Sequence, residues 1–220
     1  MQWNDHSKLK GSHALLAPSA PSWLNYDTED LEKKLISSYA TSLGTSLHEF
    51  AEDLIKLKIK LEDNDAKMVL VELLRCEIPR YAIDMDRLFP NFKQYVNDAI
   101  SYDMDPEILL YVSDYAFGTA DAIMFDGNHL QIHDLKTGVG ATHIEQLRIY
   151  AALFCLEYGI APGDISIEVR IYQNGDIYID RPTPSELLPI MDTIIQYSDI
   201  LVKKNGGNDS WKMTLNMWQQ

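Results

Sequence analysis

The chain has 220 residues, is 46% hydrophobic and carries a formal charge of −14. This suits a globular protein with one sizeable core, one domain being the default and two small ones the alternative. The charge excludes a protein that coats nucleic acid by bulk attraction, though not an enzyme that holds it in a local groove.

Residues 1–20 read as an irregular polar arm that meets the body at Trp23, with Lys8 and Lys10 ahead of the short apolar run "ALLAP". That run is too short for a signal core, and no stretch reaches the roughly 18 apolar residues of a membrane span, so a cytoplasmic location is expected, in the host if the gene is a phage's. Residues 21–108 read as mainly helical. "YDTEDLEKKL" begins a helix with Asp27 or Thr28 as cap and acids in its first turn. "TSLGTSLHEFAEDLIKLKIKL" follows, with Leu47, Phe50, Ala51, Leu54, Leu57 and Leu61 forming one apolar stripe. Its "IKLKIKL" end alternates as a strand does, which leaves the end of the helix open. Two further helices are expected at 65–78 and 87–101, punctuated by Pro79 and Pro90.

From 109 to 204 the pattern is a sheet core with flanking helices. Strands are expected at 109–117, 121–126 and 130–135. "THIEQLRIYAALFCLEYG" is a helix, with Thr142 and Glu145 at capping-box spacing and Gly159 at its end. "SIEVRIYQNGDIYID" is a hairpin turning at Asn174-Gly175. Thr183, Pro184 and Glu186 open a last helix, and 205–220, with Trp211 and Trp218, form a tail. The expected class is α/β, a mixed sheet flanked by helices. The two cysteines, Cys76 and Cys155, are too few for a four-thiolate zinc or iron–sulfur site, and free buried thiols are expected, with one disulfide as the alternative.

The stretch "DAIMFDGNHLQIHDLKTG" concentrates the chemistry. A turn at 127–128 sets Asp121 directly opposite Asp134, and a turn at 126–127 makes them diagonal neighbours. Asp134 and Lys136, two apart on one strand, share a face. Paired carboxylates suit Mg²⁺ or Mn²⁺, and a lysine beside the cation can assist water or offset charge on a phosphate. The plainer reading is a turn cap and an exposed ion pair. His48 and Glu52 are four apart on the second helix and can add a ligand, or form a surface pair. Gln146 and Tyr150 share a helix face and can contact substrate or the lysine, or simply pack. Gly118 permits close backbone approach to a ligand. His129, His133 and Asp134 are a weaker zinc alternative, since alternation points His133 away from Asp134. Phosphate-loop, dinucleotide, nucleophile-elbow and thiol-pair motifs are absent.

"GTSLHEFAE", "GTADAIMFD", "IHDLKTG" and "EQLRIYAALF", in this order over about 44–172, resemble the PD-(D/E)XK nucleases of the RecB/Cas4-like exonuclease branch, in a phage-type form. The resemblance implies metal ligation by His48, Asp121, Asp134 and the Leu135 carbonyl. It implies a catalytic Lys136, positioning by Gln146 and Tyr150, and a supporting Glu52. The implied function is a Mg²⁺- or Mn²⁺-dependent deoxyribonuclease, expected to be an exonuclease on DNA ends or single strands in phage or bacterial recombination or replication. Relatives that hold an iron–sulfur cluster use four cysteines, which this chain lacks. Lys56, Lys58, Lys60 and Arg148 are the candidate DNA contacts, and a second copy or a phage recombination protein is a candidate partner. The rival readings are a catalytically silent accessory protein or DNA mimic, and a structural Ca²⁺-binding protein.

Overall fold

The computed structural model describes residues 14–205. The start of the arm, and Trp211 and Trp218, lie outside them. Trp23 sits half-buried in a short 3-10 turn, Pro21–Asn25, and its indole donates to the Ala17 carbonyl at 3.0 Å.

Four helices come first: α1 (Thr28–Ser38), α2 (Ala40–Lys56), α3 (Ala66–Arg75) and α4 (Met85–Ser101). Asp27 is the cap of α1, accepting from the Asp30 amide at 2.9 Å. In α2 the apolar spacing buries Leu43, Leu47, Ala51, Leu54 and Ile55. The helix stops at Lys56 because Lys58 turns left-handed, with φ of 56°. Leu57 therefore leaves the expected stripe and is exposed, while Leu61 is buried. Pro90 lies inside α4 rather than at a boundary.

The rest is β1 (Asp105–Ser113), β2 (Ala116–Phe125), β3 (His129–Leu135), α5 (Glu145–Tyr158), β4 (Ser166–Gln173), β5 (Asp176–Asp180) and α6 (Pro184–Lys204). The sheet runs in the order β1-β2-β3-β4-β5, with β3 and β4 parallel and the other pairs antiparallel. The parallel pair is joined through α5, as a crossover requires. Residues of α2, α3 and α4 build one core on one face, and residues of α5 and α6 build a second on the other. β3 lies between them, nearly buried along its length.

Three expectations need correction. The first strand starts at Asp105, not 109, and its hairpin turns at Asp114-Tyr115 rather than around Gly118. Tyr111 donates its hydroxyl to Asp114 at 2.8 Å across that turn. Thr142 does not cap α5, because the helix is entered through a tight turn in which the Gln146 and Leu147 amides bond the His143 and Ile144 carbonyls. Both cysteines are free, but only Cys155 is buried. The Thr183–Glu186 capping box, the left-handed Gly159 and the Asn174-Gly175 turn, with φ of 53° and 84°, stand where the sequence puts them.

Candidate functional site

The β2–β3 register decides between the two hairpin turns. Ala122 pairs with His133 and Phe125 with Leu130, so the turn is Gly127-Asn128 and Asp121 comes opposite Asp134. The ladder ends one step short of them. Instead of a main-chain partner, the Leu135 amide donates to the Asp121 carboxylate at 3.0 Å. The strands part here, and an acid fills the gap between them.

The same position is irregular on the other side. Pro106 pairs with Ala122 and Ile108 with Ala120, which leaves Glu107 and Asp121 opposed but unpaired. Glu107 has φ of 54°, in the left-handed region that a glutamate seldom adopts. The twist turns its carboxylate toward α2. His48, one turn along α2 from Gly44, completes the group. His48 Nδ1 lies 3.3 Å from Asp121 Oδ2 and 3.9 Å from Glu107 Oε1. One ligand atom from each residue falls within 4.8 Å of the others.

The imidazole is oriented by its other nitrogen. His48 Nε2 is 3.0 Å from the Leu135 carbonyl, which can only accept, so Nε2 carries the proton. In the neutral ring the Nδ1 lone pair then faces two carboxylates. Three electron-rich atoms converge, and the arrangement needs a proton between them or a cation. Burial, and then the charge of Asp134, push the Asp121 carboxyl well above its ordinary range, and burial does the same in smaller measure to Glu107. This group and Gly44, Thr45, Glu49, Glu52 and Thr119 line an open cleft of about 500 Å³ between α2 and the β1–β2 hairpin.

Asp134 approaches from the α5 side. It is 1% exposed; its Oδ1 accepts from Lys136 Nζ at 2.9 Å, and its Oδ2 is buried with no hydrogen-bond partner. Lys136 Nζ also donates to Gln146 Oε1 at 3.0 Å, and the Gln146 amide donates to the Tyr150 hydroxyl at 3.4 Å. Asp134, Lys136, Gln146 and Tyr150 thus form one chain of contacts. Gly118 explains how the tyrosine fits: a Cβ there would stand 2.9 Å from its ring. The close approach expected at Gly118 is made by a side chain of the protein itself.

The basic residues lie differently. Lys56 is drawn to Glu52 on the rim of the cleft, Lys58 bonds Asp103, and Lys60 bonds Ser101 Oγ at 2.8 Å. Arg148, half a turn around α5 from Gln146, is held by Asp180 at 2.7 Å and Glu186 at 3.2 Å. The zinc alternative does not assemble. His129 bonds Ser166, and His133 is buried against Tyr172 and Tyr102 on the opposite face from Asp134.

Glu107 escaped the sequence reading. It preceded the expected strand, and with the turn placed around Gly118 nothing aligned it with Asp121. A turn at Asp114-Tyr115 by itself would set Ile108 opposite Asp121, and the register shift between Tyr111 and Ser113 moves the pairing by one and brings Glu107 there. No described helix is long and apolar enough to cross a membrane. Residues 13–174 match a family model described as a protein of unknown function (DUF2800). No curated protein and no solved structure matches the chain.

Proposed function

The chain belongs to the DUF2800 family, and we propose that it is a Mg²⁺- or Mn²⁺-dependent deoxyribonuclease built on a PD-(D/E)XK core. The observation that carries the reading is the convergence of His48 Nδ1, Glu107 and Asp121; Asp134 lies outside that group but stands across the β2–β3 pair from Asp121, with one oxygen buried without a partner. Two or three carboxylates with one imidazole fit Mn²⁺ well and Mg²⁺ acceptably. His48, Glu107, Asp121 and Asp134 would hold the ion. A bound cation would supply charge to a phosphodiester and acidity to a water.

The chain's own groups do the rest. The Leu135 carbonyl fixes the imidazole tautomer. Lys136 uses two of its three N–H donors on Asp134 and Gln146, which leaves the third for a phosphate oxygen or a water. Gln146 and Tyr150 hold the lysine in place. The expected substrate is DNA, cut from an end in phage or bacterial recombination or replication, as the resemblance implies. The charge of −14 favours the rival reading of a silent accessory protein or DNA mimic. That rival has no need of an intact lysine relay.

The test is an end-labelled oligonucleotide with Mn²⁺ or with EDTA, run beside melting curves. Wild type should cut only with metal and melt higher in Mn²⁺. Asp134→Asn should abolish cutting, lose most of the Mn²⁺ effect, and leave the metal-free protein at least as stable as wild type, since one of two opposed charges is gone. Lys136→Ala should lose cutting yet keep most of the Mn²⁺ effect. A wild type with neither cleavage nor a metal-dependent rise establishes the rival.

A further inference from the structure

We infer that the open face of the β1–β2 hairpin beside the cleft is a stacking platform for the bases of a single-stranded nucleic acid. This rests on the nuclease reading of the cleft and names the form of its substrate. Beyond the Glu107–Asp121 irregularity the two strands pair in register, Leu109 with Thr119 and Tyr111 with Phe117. Alternation puts these four side chains on one face, away from Ile108, Leu110 and Ala120 in the core over α5. Thr119 already lines the cleft. The strip therefore runs on from the candidate cation group, with the aromatic pair about 13 Å along the strands.

Its composition is unusual for a surface so close to a polar site. Leu109 is 55% exposed, Tyr111 42% and Phe117 57%. The two rings lie near parallel, 25° between planes and 6.5 Å between centroids, with Tyr111 steadied by its hydroxyl bond to Asp114. The edge of β1 is partly closed: Glu157 of α5 accepts the Tyr111 amide at 2.8 Å, so an added peptide strand would have to displace it. Among the described residues the flat face stays open, and flat apolar faces suit nucleobases, which stack on aromatic rings whatever their sequence.

Charge limits how a strand at the cleft could be held. An acidic chain holds no phosphate backbone by general attraction, and Lys56, Lys58, Lys60 and Arg148 are each engaged within the protein. Stacking supplies affinity that phosphate contacts here do not. It requires unpaired bases, which a duplex withholds. It also predicts an uncommon salt response. Phosphate-driven binding falls by about a thousandfold or more between roughly 50 and 200 mM salt. Stacking on an acidic protein holds steady, or strengthens as repulsion is screened.

The experiment measures binding of a fluorescent oligothymidylate, single-stranded or annealed to its complement, to the full chain in EDTA at both salt concentrations. Wild type should bind the single strand at least about tenfold more tightly than the duplex, with a flat or rising salt response. The Tyr111→Ser, Phe117→Ser double variant should lose about tenfold or more, with melting curves confirming that it folds. Phe117→Trp should bind as wild type does, which a loss of mere packing would not predict. Unchanged binding in the double variant, no single-strand binding by wild type, or a steep fall with salt each overturns the platform. Cleavage of the same oligonucleotide by wild type in Mn²⁺ is scored separately. Binding that depends on the strip without cleavage overturns the nuclease reading alone, and cleavage with strip-independent binding overturns the platform alone.

Discussion

His48 donates to a main-chain carbonyl and so turns a lone pair onto two acids. Of those acids, Glu107 is the one the motif-based reading did not include, and its weight can be measured. Glu107→Gln preserves shape and removes one charge. The metal-free protein should melt at the same temperature or higher, the Mn²⁺-induced rise should shrink, and cleavage should fall by about tenfold or more, about 1.4 kcal/mol of transition-state stabilisation. Melting curves in EDTA and Mn²⁺ beside a cleavage assay decide it, and full metal response in the variant removes Glu107 from the ligand set. His133, on β3, shows how different a second histidine can be. Burial, with the nearby Arg170 charge, holds its pKa down to about 3, so it is neutral in the folded protein. In the unfolded chain it takes up a proton near the ordinary 6.5, so the unfolded state binds more protons between those values. Stability therefore falls as pH drops from about 6.5 toward 3, by up to a few kcal/mol. His133→Gln should flatten that slope in urea unfolding at pH 7 and pH 5. An equal slope in the variant would place the acid sensitivity elsewhere.

Among the elements, α5 and β2 meet where Phe154 packs on Phe125 and, nearer the site, where the Tyr150 ring lies over Gly118. A methyl at Gly118 meets the ring at 2.9 Å, so either the tyrosine or the strand must move. Gly118→Ala should cost about 1–3 kcal/mol, as overpacking does. By shifting Tyr150 it should also loosen Gln146 and Lys136 and lower cleavage. The cycle with Tyr150→Leu separates the two effects: stability loss from Gly118→Ala should shrink in that background, while cleavage stays low. Equal losses in both backgrounds would mean that the glycine serves the backbone and not the ring. β3 shows the opposite economy. Gln131, His133 and Leu135 face α4, while Leu130 and Ile132 face α5, and this alternation carries Asp134 to Lys136 and Gln146.

At the scale of the whole molecule the charge of −14 is the dominant property. Many of the described cations sit beside acids, but exposed pairs such as Lys33–Glu29 contribute little. Net repulsion remains. In EDTA, raising NaCl from roughly 20 to 300 mM should therefore raise the melting temperature by a few degrees. A fall with salt would show that ion pairs outweigh the net charge. Divalent cations should act far more strongly than their ionic strength warrants if the cleft binds them.

The residues themselves determined the order of elements from β1 to α6, because apolar period, caps and turn glycines are local signals. They also narrowed the β2–β3 hairpin to two registers, since Gly127 stands in both turns. The helix histidine, the two strand aspartates, the lysine and the Gln-Tyr pair were all legible as chemistry, since residue type and spacing suffice to name them. Only the tertiary structure decided which of them meet. The parting of β2 from β3, the left-handed turn of Glu107 and the carbonyl that sets the His48 tautomer depend on strands and a helix distant in sequence. Local periodicity carries no trace of such features, because they arise where separate strands, and a helix and a strand, meet in the folded chain.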